Sequence, residues 1–68
     1  MTDCKKLEHA LLDADISKRD LAKYLEISEQ ALFNKLKNIT EFKASEIVKI
    51  TSLLKLNAAE RDAIFFNY

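Results

Sequence analysis

The 68-residue chain carries its apolar residues in short segments, three or four positions apart, which is the spacing of amphipathic helices. The first predicted helix begins at Thr2 or Asp3 and ends near Asp15 and Ile16. The apolar stripe of this helix consists of Leu7, Ala10, Leu11 and Ala14.

Two serines divide the next stretch into two predicted helices. Ser17 and Ser28 are of a type that caps helices, because the hydroxyl accepts a hydrogen bond from a free N–H of the first turn. Asp20 lies three residues after Ser17, as a weaker relative of the capping-box glutamate. Glu29, in the first turn of the third helix, interacts favourably with the helix dipole. The residues predicted to face the core are Leu21, Ala22 and Leu25, then Leu32 and Leu36, and finally Ile39.

The remaining pattern predicts a loop and two further helices. The loop covers residues 38–42, and the fourth helix runs from about Ala44 to Lys55. Asn57 caps a fifth helix, with Glu60 at the capping-box position. The apolar stripe of the fourth helix consists of Ile47, Ile50, Leu53 and Leu54.

Composition supports a purely helical fold. The chain has no glycine and no proline, which β-hairpins and tight turns use heavily. Its length suits one domain with a thin core. We therefore predict an all-α fold, a compact bundle of about five short helices in a single domain spanning residues 1–68.

Charge gives only weak guidance. The formal net charge is zero, so an overall positive field cannot argue for nucleic acid. The distribution of charge matters more than its sum, and residues 17–38 hold five basic side chains against three acidic ones.

Several function classes are disfavoured. The single cysteine, Cys4, excludes an intrachain disulfide, and the chain begins without a signal-peptide pattern and lacks a long apolar run. We expect a soluble cytoplasmic protein. Cys4 and His9 have no partners at metal-ligand spacing, and no catalytic motif is present, so we expect a non-enzyme without metal, cofactor or small-molecule ligand.

Residues 17–38 have the spacing of a helix-turn-helix. Ala22 is small and allows two helices to approach closely, while Ile27 and Leu32 lock their crossing. This stretch resembles the phage repressor and Cro-type helix-turn-helix family, and the similarity extends from about residue 5 to residue 66. The residues that carry it are Leu21-Ala22, Leu25, Ile27-Ser28, Leu32 and Leu36, with Glu41 to Ile47 and Ile64 to Phe66 downstream.

The resemblance implies a repressor-like transcriptional regulator that inserts its third helix into the major groove of an operator and binds as a dimer. One departure is Glu26, where the family usually has a glycine. That turn position often takes a left-handed conformation, which costs a glutamate about 1 kcal/mol.

The outer face of the third helix holds the candidates for base recognition. Gln30 and Asn34 can each form paired hydrogen bonds with adenine, and Glu29 can accept one from cytosine. Phe33 either contacts a thymine methyl or packs against Phe42 and extends the core.

The other predicted contacts concern phosphates and a second copy. The candidate phosphate ligands are Ser17, Lys18, Lys23, Ser28, Lys35, Lys37, Lys43 and Ser45. The predicted dimer interface consists of Ile64, Phe65, Phe66 and Tyr68, because four apolar residues so close on a helix cannot all face one small core. In the alternative arrangement, Ile64 and one phenylalanine close the core against the first helix.

A different function class is a protein-interaction module, similar to an antirepressor or antitoxin, that keeps the fold without specific DNA binding. Neutral charge, Glu26, Glu29 and the aromatic C-terminal residues favour it. In the simplest interpretation, the polar residues of the third helix form only a solvated face. A DNA-binding protein is distinguished by a positive stripe beside that helix and by salt-dependent affinity.

Overall fold

A computed structural model describes residues 1–66, and all regular structure in this part of the chain is α-helical. Its five helices confirm the predicted all-α bundle: α1 (Cys4–Asp13), α2 (Lys18–Leu25), α3 (Glu29–Leu36), α4 (Ala44–Leu53) and α5 (Ala58–Phe65). The first and fourth helices end about two residues before their predicted ends, because the chain turns there. Helix α2 packs against α3, and α1 packs against α5.

Side-chain caps fix most helix starts. Asp3, Ser17, Ser28 and Asn57 each accept a hydrogen bond from the backbone N–H three residues later. Asn57 and Glu60 form the predicted reciprocal capping box, with N–H to oxygen distances of 2.9 and 2.8 Å. These caps satisfy backbone donors that have no partner inside the helix.

Four helices end in the same motif, although the chain contains no glycine. The residue that leaves each helix has a left-handed backbone with φ of 55–59°: Asp15, Glu26, Asn38 and Lys55. The next N–H donates to the carbonyl five residues back at 2.9–3.0 Å, as in a Schellman motif. The following aliphatic residue packs against the core in three cases, namely Ile16, Ile27 and Leu56.

Ile39 is the exception, and the prediction that it closes the core is wrong. Its side chain is 68% exposed. Phe42 supplies the buried side chain from this loop instead, packing edge-on against Phe65 with ring centroids 5.6 Å apart. The loop turns at Asn38 and returns to the core only at Phe42.

The core draws on every helix. Leu7, Leu21, Leu32 and Ile50 are its fully buried large side chains. Ile64 and Phe65 of α5 belong to the same cluster. The Asp3 N–H donates to the Ile64 carbonyl at 2.6 Å, so the start of the chain is fixed to α5.

A buried ion pair joins α3 to α4. The Lys35 ammonium lies 3.1 Å from Glu46 Oε1, and both side chains are less than 10% exposed. Lys35 Nζ also donates to the Glu41 carbonyl at 3.0 Å, and the Lys43 N–H donates to Glu46 Oε1 at 2.7 Å. The pair therefore fixes both ends of the 41–43 segment.

We predict that Lys55→Gly stabilises the protein, because glycine adopts the left-handed conformation without the Cβ clash. The free energy of unfolding should rise by about 0.5–1 kcal/mol in urea titrations followed by circular dichroism. The matched control is Lys49→Gly, at an exposed position inside α4, which should lower stability by about 1 kcal/mol. Equal effects of the two substitutions would contradict the role of the left-handed cap.

We predict that Lys35→Met lowers the free energy of unfolding by about 3 kcal/mol or more, because it leaves the Glu46 carboxylate buried without its cation. Adding Glu46→Gln should recover part of the loss, since a neutral amide can still accept from the Lys43 N–H. The exposed Lys49→Met serves as control and should change stability by less than about 0.5 kcal/mol. A Lys35→Met variant as stable as this control would show that the pair is dispensable.

Candidate nucleic-acid interface

A tight turn holds α2 and α3 together. Ala22 is 2% exposed, and its carbonyl accepts the Ile27 N–H at 3.0 Å. Glu26 has φ 59° and ψ 39°, so the residue at the usual glycine position of the family does take the left-handed conformation. Ser28 then caps α3 through the Ala31 N–H at 3.0 Å.

Helix α3 has a buried side and an uncovered side. Leu32 and Leu36 are 1% and 8% exposed, as members of the core. Glu29, Gln30 and Phe33 are exposed, and Asn34 is half-buried. The four candidates for base recognition therefore lie on one surface, as the helical spacing predicts.

Phe33 belongs to this surface and not to the core. Its side chain is 51% exposed, while Phe42 packs against Phe65. The Lys37 ammonium lies 5.3 Å from the centroid of the Phe33 ring, within the range of a cation–π contact. The sequence left open whether Phe33 faces outward or packs against Phe42, and in the structure Phe33 faces outward.

A second contact organises the same surface. Gln30 Nε2 donates a hydrogen bond to Asn34 Oδ1 at 3.1 Å, across one turn of α3. Residues four apart on a helix lie on the same side, so the two amides can meet without distortion.

The uncovered side of α3 forms one wall of a cleft of about 280 Å³. Lys18, at the start of α2, lines it together with Glu29, Gln30 and Phe33, and Leu32 and Leu36 form its apolar base. The Lys18 ammonium is paired with Glu8 of α1 at 2.6 Å, and both side chains are substantially exposed. An exposed pair of this kind is weak, so Lys18 can exchange Glu8 for another anion.

The candidate phosphate ligands do not all remain available. Lys35 is 8% exposed and engaged with Glu46, so the prediction that it contacts phosphate is wrong. The sequence held a signal for this, because Lys35 lies three residues after buried Leu32, and Glu46 lies four residues before buried Ile50. The candidates with exposed side chains are Ser17, Lys18, Lys23, Ser28, Lys37, Lys43 and Ser45.

The predicted dimer interface also changes. Ile64 and Phe65 are 5% and 3% exposed, so their assignment to an intermolecular surface is wrong, and they close the core as in the alternative arrangement. Phe66 is 45% exposed and lines a groove of about 720 Å³ with Met1 and Val48. Tyr68 lies outside the described residues.

The lone thiol is shielded. Cys4 is partly buried, and its Sγ lies 3.7 Å from the Lys35 carbonyl. Burial raises the pKa of the Cys4 thiol, and the nearby Glu8 and Asp3 carboxylates raise it further. A raised pKa lowers the fraction of reactive thiolate at neutral pH.

Residues 1–66 show neither a cluster of metal ligands nor a membrane-spanning helix. No group of three or more histidine, cysteine, aspartate or glutamate side chains in this range is placed to hold a metal ion. Within the same residues, none of the helices combines the length and the apolar composition that a membrane span requires.

Residues 2–68 match the model of a family described as proteins of unknown function, DUF739. The chain belongs to the DUF739 family. A comparison with curated proteins finds no match. The family description gives no activity.

Proposed function

We propose that this DUF739 protein is a sequence-specific double-stranded DNA-binding transcriptional regulator of the phage repressor and Cro type. The observation that carries the proposal is the uncovered side of α3, where Gln30 and Phe33 line a cleft with Lys18, and Asn34 is hydrogen-bonded to Gln30. In this proposal α2, the turn and α3 form a helix-turn-helix, and α3 enters the major groove. Such a regulator would act in the bacterial cytoplasm, at the nucleoid.

The dimensions of α3 suit this role. An α-helix with its side chains is about 10–12 Å across, which fits a major groove about 12 Å wide. The buried Leu32 and Leu36 hold the helix against the rest of the domain. The groove would meet a rigid helix, because packing and the Ser28 cap already fix its position.

Helix starts would supply the phosphate contacts. The Ser17 and Ser28 hydroxyl oxygens accept from Asp20 and Ala31 N–H groups, which leaves each O–H free to donate to a phosphate. Exposed Lys23, Lys37 and Lys43 would neutralise further phosphates, and Ser45 would donate from the start of α4. Lys18 would leave Glu8 for the DNA backbone.

Two copies would be needed to match the two-fold symmetry of an operator. The domain measures 28 × 24 × 20 Å, so two touching copies could present their α3 helices about 34 Å apart, one turn of DNA. We propose that the second copy covers the groove lined by Met1, Val48 and Phe66, which concentrates exposed apolar side chains.

A protein-interaction module is the second candidate. The specific observation that favours it is Phe33, an aromatic ring half exposed in the centre of the α3 surface. Zero net charge points the same way, since DNA-binding domains are commonly basic. The partner would then be an apolar protein surface that covers Phe33.

We expect the protein to bind DNA from the region upstream of its own gene more tightly than a scrambled duplex, as measured by fluorescence anisotropy at two salt concentrations. Affinity should fall steeply with salt, because counterions are released from phosphates. Asn34→Ala should cost about 1–3 kcal/mol on the specific duplex and little on the scrambled one. Lys23→Ala should weaken both and reduce the salt slope by about one.

Lys49→Ala, on the exposed side of α4, is the control and should bind as the parent protein does. If neither the upstream duplex nor a selection from random duplexes reveals specific binding, the interaction module becomes the better assignment.

We expect a dimer in sedimentation equilibrium at high micromolar concentration. Val48→Glu should shift the protein towards monomer, because it places a charge in the apolar groove. Lys49→Glu, at the neighbouring exposed position outside the groove lining, should not. A parent protein that stays monomeric throughout this range would refute the proposed dimer.

A further inference from the structure

The linked amides on α3 carry an inference about the base that they recognise, which rests on the proposed function. Gln30 Nε2 donates to Asn34 Oδ1 at 3.1 Å, so one polar atom of each side chain is already engaged. Within residues 1–66, the Gln30–Asn34 bond is the hydrogen bond that joins two uncharged side chains on the exposed side of α3. The sequence alone predicts one adenine for each of Gln30 and Asn34, whereas the hydrogen bond joins them into one unit.

The link leaves a defined pair of groups for DNA. Gln30 Oε1 remains wholly free as an acceptor and Asn34 Nδ2 wholly free as a donor, while the two linked atoms keep one further N–H and one further lone pair. If both amides rotate by half a turn, the direction of the link reverses, and the pair again offers one donor and one acceptor. Either orientation of the two amides therefore leaves one wholly free donor and one wholly free acceptor for DNA.

We propose that Gln30 and Asn34 together recognise a single adenine in the major groove, instead of binding one adenine each. The adenine edge presents the N7 acceptor beside the N6 amino donor, which matches one donor and one acceptor. The guanine edge presents two acceptors, N7 and O6, and no donor, so the free Gln30 Oε1 would have no N–H to accept from. The linked pair thus favours adenine over guanine at one position.

The surroundings of the pair support this assignment. Phe33 lies between the two amides in sequence and offers an exposed apolar ring, suited to a thymine methyl next to the recognised adenine. The Lys37 ammonium lies over that ring and not on either amide. Because both side chains are uncharged amides, DNA binding at this pair requires no ion pair to be broken.

The test begins with selection of binding sites from random duplexes by the full chain. Within the selected site, we expect one A·T position at which Gln30→Ala, Asn34→Ala and the double variant each lose about tenfold in affinity. The double variant should lose no more than either single variant, because each removal disables the same unit. Replacing that adenine by 7-deazaadenine should weaken the parent protein about tenfold and leave the variants unchanged.

Each outcome has a distinct meaning. Circular dichroism of the variants establishes that they fold, and Lys49→Ala should select and bind the same site as the parent. Selection of a site with independent, multiplicative losses at two different base pairs would overturn joint recognition while leaving the proposed function intact. Guanine at the shared position would do the same. Failure to select any sequence would overturn the proposed function itself.

Discussion

The buried pair of Lys35 and Glu46 is the interaction on which the arrangement of α3 depends. It places two opposite charges in a thin apolar core, where each would be costly without the other. Hydrogen bonds from Lys35 to the Glu41 carbonyl and from the Lys43 N–H to Glu46 give the charges further partners. The ion pair thereby sets the position of the 41–43 segment, the start of α4 and one side of α3.

One side of α3 is held in the core, and the opposite side of the same helix faces outward. Leu32 and Leu36 pack in the core, and the tight turn at Glu26 fixes the helix against α2. Gln30 and Phe33 are then exposed on a rigid support, with the half-buried Asn34 beside them. Preorganised groups lose less conformational entropy on binding, so this is a physically suitable surface for recognition.

Zero net charge need not conflict with the proposed DNA binding. Acidic residues neutralise the sum, but the cleft beside α3 has Lys18 at its edge, and its ion pair with Glu8 is exposed and exchangeable. Phosphate contacts from capping serines and helix starts require no net charge. Zero net charge is equally compatible with the interaction module, since the exposed Phe33 ring could contact a protein partner as well as a thymine methyl.

The sequence alone was enough to predict the helices, since apolar spacing and the capping residues Ser17, Ser28 and Asn57 act locally along the chain. It also determined which residues of α3 share an outer face. The folded structure was needed to show that Lys35 is buried, that Phe42 replaces Ile39 in the core and that Ile64 and Phe65 lie inside. These outcomes depend on contacts between segments that are distant in sequence. Local periodicity does not indicate which distant residue a side chain will contact, as Lys35 contacts Glu46.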